Sequence, residues 1–241
     1  MPTYEATAKW LNDNQGVLGM LVFIATLTVG WLSGIFSALR RRPKLTFNVI
    51  FGPTFCCTYP TGAMHGTFPV HRTGIALYLR VSNVGSAATS LENISVGYHC
   101  SIRPASIQWL RFRLGWLWLN DQIAAIHDFQ AKIGENIKIY PFLIQASILT
   151  GKAANTFLVP GQSTNGVVYF EQSDSWGGFF PVVTNSEVRV KVAIRDTFGS
   201  RHTKKFTISA VSMEQARTYN PSFGKTLAEL RNETLPHDAG A

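Results

Sequence analysis

Hydrophobic and polar positions follow one rule near the N-terminus and another beyond it. From Gly16 to Leu39 the run GVLGMLVFIATLTVGWLSGIFSAL carries no charged residue. A buried soluble helix of that length would show a polar stripe, and only Thr26, Thr28, Ser33 and Ser37 interrupt this one. At 1.5 Å per residue such a helix is about 36 Å long, enough to cross a hydrocarbon core of about 30 Å with some tilt. Its hydroxyls can return to the helix's own carbonyls, which makes them tolerable in lipid. The pattern therefore predicts a single transmembrane helix over 16–39, preceded by a short flank over 1–15.

From Leu45 the period becomes two. The stretch Leu45–Phe51 alternates imperfectly and stops at Gly52-Pro53. Ile75, Leu77, Leu79 and Val81 alternate with Ala76, Tyr78, Arg80 and Ser82, and Ile94, Val96, Tyr98, Cys100 and Ile102 do the same with Ser95, Gly97, His99 and Ser101. Pro160-Gly161 turns the chain before a strand over 166–171. Val188, Val190, Val192 and Ile194 then alternate with Arg189, Lys191, Ala193 and Arg195, the chain turns at Asp196-Thr197-Phe198-Gly199, and it returns through Lys204 to Ile208 as an antiparallel hairpin. Such runs bury one face and wet the other. The expected fold is mainly β, an antiparallel immunoglobulin-like β-sandwich over 45–211, although no tryptophan falls suitably between two cysteines. Ser212-x-x-Gln215 reads as a capping box opening a helix over 213–218, and a second short helix is expected over 225–232. Short helices and a frayed tail thus make up 212–241.

Leu79-Arg80-Val81-Ser82-Asn83-Val84-Gly85 resembles a strand and turn of bacterial single-span, membrane-anchored β-sandwich proteins, and Arg195-Asp196-Thr197-Phe198-Gly199 resembles their terminal hairpin. The resemblance concerns layout from the anchor to about Val211. It implies a fold and brings no catalytic residues with it.

Charge adds a direction. The formal net charge is +8, and Arg40, Arg41, Arg42 and Lys44 in the linker over 40–44 account for half of it. The positive-inside rule places that flank and the large domain in the cytoplasm, at the inner or plasma membrane, with the N-terminus outside. Tyr4, Trp10 and Leu11 would then sit at the opposite interface. The leading residues carry Glu5 and Asp13 against Lys9, and the apolar run is too long for a cleaved signal peptide. The remaining cations form no stripe along the chain, which argues against nucleic acid as a partner. With 46% apolar, 12% aromatic and 15% charged residues, the chain after the anchor can bury a core and needs no second span. Cys56, Cys57 and Cys100 allow one bridge to Cys100 in an oxidising compartment and read as free buried thiols in a reducing one.

Two kinds of contact surface are expected. Gly30, Ser33, Gly34 and Ser37 place small residues at helical spacing, a face through which two anchors could pack as a homodimer or higher oligomer. In the stretch 107–119, period two lines up Leu110, Phe112, Leu114, Trp116 and Trp118 as one apolar face. It reads as a central strand, or else as a membrane-surface or partner-binding patch built on Trp109, Arg111, Arg113, Trp116 and Trp118. The loop bearing Trp176, Phe179 and Phe180 reads as a further contact surface, with Glu171 and Asp174 as solvated acids beside it. Metal-ligand spacing among the histidines, a GxSxG, a P-loop and a dinucleotide fingerprint are all missing, and the D-x-F-G at Asp196–Gly199 lacks the other kinase motifs. No catalytic residue, cofactor or metal is expected. The reading is a non-enzymatic, membrane-tethered β-sandwich that binds the bilayer or a protein partner. Its rivals are an effector of bacterial defence that perturbs the bilayer by oligomerising, and an exported cell-envelope domain.

Overall fold

The computed structural model describes residues 2–35, 41–102, 106–111, 115–123, 125, 127–145 and 155–225. The chain separates into two compact units, Met1–Arg42 and Pro43–Ala241. In the first, helix α1 (Pro2–Asp13) leads into helix α2 (Gln15–Leu32) through Asn14. The backbone N–H and the side-chain amide of Asn14 both donate to the Trp10 carbonyl, at 3.0 and 2.9 Å. Residues all around α2, among them Val17, Leu21, Phe23, Val29 and Trp31, are apolar and exposed. Among the described residues it is the one helix long and apolar enough to cross a membrane. The hydroxyls bond inward as expected: Thr26 donates to Val22 O at 2.8 Å, Thr28 to Ala25 O at 2.8 Å and Ser33 to Gly30 O at 3.1 Å.

Among the described residues, α2 stops inside the apolar run that suggested it. Regular geometry ends at Leu32, about 27 Å from its start, and Gly34 has φ +74°. A glycine in that region just after the last turn is a common way to end a helix. Gly30 and Gly34 therefore do not share one regular helical face here, and Ser37 and Arg40 lie outside the described residues.

The second unit is mainly β. Its strands are β1 (Leu45–Val49), β2 (Phe55–His65), β3 (Phe68–Asn83), β4 (Thr89–His99), β5 (Trp116–Leu119), β6 (Phe129–Ile133), β7 (Asn136–Tyr140), β8 (Phe157–Leu158), β9 (Ser163–Ser175), β10 (Val183–Thr184), β11 (Glu187–Asp196) and β12 (Arg201–Ala210). Helix α3 (Ile107–Arg111) precedes β5, and α4 (Met213–Tyr219) follows β12. Ten strands join in the order β1-β3-β2-β12-β11-β4-β5, with β9 on β3, β8 on β4 and β10 on β11, while β6 and β7 form a separate hairpin. β3 is the spine: β9 runs along one edge, and β2 and then β1 occupy the other. Pairing between these strands is antiparallel except where β12 meets β2 in parallel at Ser209↔Phe55 and Ala210↔Cys56, and Phe142 bridges Val167 in parallel, which corrects the wholly antiparallel expectation.

The alternation also needs correcting. One apolar cluster joins Leu45, Ile75, Leu77, Leu79 and Val81 to Ile94, Val96, Val190, Val192 and Ile194. A second cluster, with Phe55, Ala76, Tyr78, Phe129, Tyr140, Phe142, Tyr169 and Phe223, covers the opposite side of β3. β3 is thus buried on both faces, because the β6–β7 hairpin and the segment after β12 close over the side expected to be wet. The predicted capping box holds that segment in place. Gln215 N–H donates to Ser212 Oγ, and Ser212 N–H donates to the Gln215 side chain, each at 3.3 Å. Tyr219 stacks on Phe55 at 5.7 Å, and Phe223 meets Phe55 edge-on at 5.6 Å. The second helix, expected over 225–232, lies outside the described residues beyond Lys225.

A candidate binding face of cations and tryptophans

On β11 the alternation holds except at Ala193, which is buried with its neighbours. Val188, Val190, Val192 and Ile194 are buried, so Arg189, Lys191 and Arg195 point outward. Register carries the pattern to the neighbours. Lys191 lies opposite Lys205 on β12 and Gly97 on β4, Arg195 lies opposite Arg201, and Gly97 and His99 lie opposite Trp118 and Trp116 on β5. Trp118, Gly97, Lys191 and Lys205 consequently form one row across four strands.

The absence of a side chain at Gly97 is what lets the row close up. A β-carbon there would sit 3.0 Å from the Trp118 ring, so the indole lies down on the bare backbone. Trp116 covers His99 with ring centroids 3.9 Å apart, and His99 Nδ1 is 3.2 Å from the Gly115 carbonyl. The cations then sit over the rings: Arg201 at 4.7 Å and Lys191 at 5.9 Å from Trp118, Lys191 and Lys205 at 6.0 Å from Trp116. Two hollows flank this ridge. One, of about 630 Å³, is lined by His99, Thr184, Asn185, Glu187, Arg189 and Thr207. The other, of about 290 Å³, is lined by Asn93, Ser95, Asn120, Arg195 and Arg201. Among the described residues Arg189, Lys191, Arg201 and Lys205 form no ion pair, while Arg195 meets Glu92 at 3.8 Å in an exposed pair worth little.

The stretch 107–119 is not the single strand its alternation suggested. Ile107–Arg111 is helical, with Trp109 half-buried and Arg111 exposed, and Gly115 turns the chain at φ +86°. Residues 112–114, Arg113 included, lie outside the described residues. Only four residues pair with β4, at the edge of the sheet, and the phase is inverted: Leu117 and Leu119 pack on the core while Trp116 and Trp118 face out. Two apolar series alternate there, so only packing could choose between them.

Trp176, Phe179 and Phe180 belong to a different place, near the β2–β3 turn. Trp176 stacks on His65 at 3.9 Å, Phe180 meets His71 edge-on at 5.3 Å, and the Phe179 carbonyl accepts a hydrogen bond from the Tyr98 hydroxyl at 3.2 Å. Of the cations expected to set topology, Arg41, Arg42 and Lys44 are exposed.

Glu171 is not the solvated acid that was expected. Half-buried, it accepts from the Tyr59 and Tyr169 hydroxyls at 3.1 and 3.0 Å, and Arg72 stands 3.8 Å away while bonding Asp174 at 2.7 Å. Burial, followed by the Glu171 charge, raises both tyrosines above their ordinary pKa. The hydrogen bond to Asp174 holds the Arg72 guanidinium more firmly protonated. The cysteines are free and buried. Burial pushes Cys57 up to about 11 and Cys100 up to about 12, and raises Cys56 as well, with the neighbouring Cys57 adding to the Cys56 shift. Thiols so protonated are poor nucleophiles. No group of three His, Cys, Asp or Glu positioned for a metal occurs among the described residues.

Fold and face together define a β-rich protein with an exposed cation-and-tryptophan surface and an apolar N-terminal helix. No family model and no curated protein matches the chain. Among solved structures it is similar to a putative ApaA protein from Bordetella pertussis, with TM-score 0.26 and 10% identity over 70% of this chain and 96% of that one. It is also similar to AvmM, which catalyses macrocyclization in alchivemycin A biosynthesis, with TM-score 0.28 and 10% identity over 71% and 89%. A third likeness is to the trimeric lipoprotein SadB of Salmonella enterica, with TM-score 0.17 and 12% identity over 73% and 85%. Scores this low carry no argument about activity.

Proposed function

We propose that this chain is a non-enzymatic binding protein, tethered by α2 as a single membrane span, whose β-unit holds an acidic segment of a protein partner in the cytoplasm. The observation that carries the reading is the face just described: Arg189, Lys191, Arg201 and Lys205, unpaired among the described residues, surround two tryptophans on one exposed sheet surface. Cations and aromatic rings of this kind dominate the energetics of protein recognition, and their excess of one sign selects the opposite sign. The tether rests on an α2 that is apolar on every side and on the cations that follow it, which favour the cytoplasmic side. The β-unit is read as an immunoglobulin-like sandwich, in which β1, β2, β3 and β9 face β4, β11 and β12 across a shared core and are joined where β12 meets β2 in parallel.

A short polyglutamate peptide serves as the probe, titrated against the full chain in nanodiscs of neutral lipid and followed by tryptophan fluorescence. The double variant Lys191→Glu/Lys205→Glu is expected to weaken binding about tenfold or more, a change of about 1.4 kcal/mol in binding free energy. Equal affinity in both proteins sinks the assignment of this face, and preference for a single-stranded oligonucleotide over the peptide replaces the partner class.

A further inference from the structure

A second surface lies where the chain enters the β-unit. Asn83, wholly buried at the end of β3, gathers that end of the molecule. Its side-chain amide donates to the carbonyls of Ala87 and Leu158 at 2.7 and 3.0 Å, and its side-chain oxygen accepts from Gly85 N–H at 3.0 Å and Lys44 N–H at 3.4 Å. The β11–β12 turn joins the same end. Thr197 N–H donates to Ser90 O at 3.2 Å, and Ser90 in turn pairs with Phe157. Apolar side chains nonetheless point outward from these loops: Phe198 is 62% exposed, Val84 55%, Phe157 50% and Val159 44%. Lys44 stands exposed beside them, its carbonyl accepting from Val84 N–H at 2.8 Å. The acids nearby are both occupied. Asp196 is wholly buried and holds His202 at 2.9 Å and the N–H groups of Phe198 and Ser200, and Glu92 pairs with Arg195. What faces solvent is therefore apolar and positive.

We infer that this end of the β-unit docks on an anionic phospholipid surface, with Phe198, Val84, Phe157 and Val159 entering the headgroup boundary and Lys44 meeting the phosphates. The inference rests on the reading of α2 as a membrane span. Eleven backbone steps separate Leu32, the last residue of α2, from Pro43, so whatever the conformation between them, Pro43 stays within about 40 Å of the helix terminus. A tether this short keeps the loops at high effective concentration near the bilayer. Apolar side chains framed by Lys and Arg are the composition that binds an anionic lipid interface. The opposite end of β3 also exposes apolar residues, Met64 and Phe68 among them, yet lies about 50 Å away along the strand. It supplies the internal control.

The test uses the full chain reconstituted in vesicles of phosphatidylcholine, alone or mixed with phosphatidylglycerol. The buried native thiols leave an introduced cysteine as the accessible labelling site. An environment-sensitive fluorophore is placed by Phe198→Cys, Phe68→Cys or Val22→Cys, and spin-labelled phosphatidylcholine is the quencher. The expected result is quenching at position 198 in the mixed vesicles, at least twofold stronger than in pure phosphatidylcholine and lost on adding Lys44→Glu. Position 68 should stay as water-like as free dye. Quenching at 22 but none at 198 overturns the docking and leaves the tether standing. Quenching at 198 without dependence on phosphatidylglycerol or Lys44 overturns the anionic-lipid assignment. Absence of quenching at 22 overturns the tether and the docking with it.

Discussion

At the scale of single residues, small side chains decide what larger ones can do. In the alternation of Ile94, Val96 and Tyr98, Gly97 reads only as one of the outward positions. In the folded protein it is the floor for Trp118, whose ring would meet a β-carbon at 3.0 Å. Gly97→Val should therefore lift the indole and separate it from Arg201 and Lys191. Tryptophan emission should shift and polyglutamate affinity fall about tenfold, with thermal stability lowered by about 1 kcal/mol. An unchanged affinity would mean that the Trp118 platform has no part in binding. Glu171 teaches the same lesson in reverse. Nothing in its flanking residues distinguishes it from Asp174, yet one accepts two tyrosine hydroxyls and the other ends an exposed ion pair.

At the scale of elements, legibility follows the reach of the determining contacts. The β11–β12 hairpin could be read because its alternation, its turn residues and its partner strand lie within about two dozen positions of one another. Within it Asp196 accepts from Phe198 and Ser200 N–H at 3.0 and 2.9 Å, the local bonding that suits Asp to turns. Helix α4 was legible from Ser212 and Gln215 for the same reason. Its value to the protein is less local, since it brings Tyr219 and then Phe223 onto Phe55. Ser212→Ala removes the cap and should cost about 1 kcal/mol in chemical denaturation, with faster hydrogen exchange confined to α4. Destabilisation spread evenly through β2 and β3 instead would show the cap and the core to be one cooperative unit. In β5, Leu117 and Leu119 are as apolar as Trp116 and Trp118, and periodicity has no means of choosing the inner series.

At the scale of the whole molecule, buried protonated groups tie stability to alkaline pH. Cys57 and Cys100 ordinarily titrate at 9.0 and are raised by burial to about 11 and about 12, while Tyr59, Tyr98 and Tyr169 are raised from 10.0. The native state keeps these protons where the unfolded chain would release them. Their contribution is complete below pH 9 for the thiols and is lost progressively as pH rises through about 11–12. Melting temperature should be flat at neutral pH and fall above pH 9, and a melting temperature that rose across that window would contradict the burial of these groups. By itself, the sequence determined what depends on neighbours in the chain: an apolar helix with cations behind it, a mainly β unit, its terminal hairpin and its capped helix. Tertiary structure decided what depends on residues far apart. It buried β3 on both faces under segments from 129–142 and 219–223, and turned Trp116 and Trp118 outward. It also gathered cations that look scattered along the chain into one surface, because strand register places Lys191, Lys205 and Gly97 side by side whatever their separation in sequence.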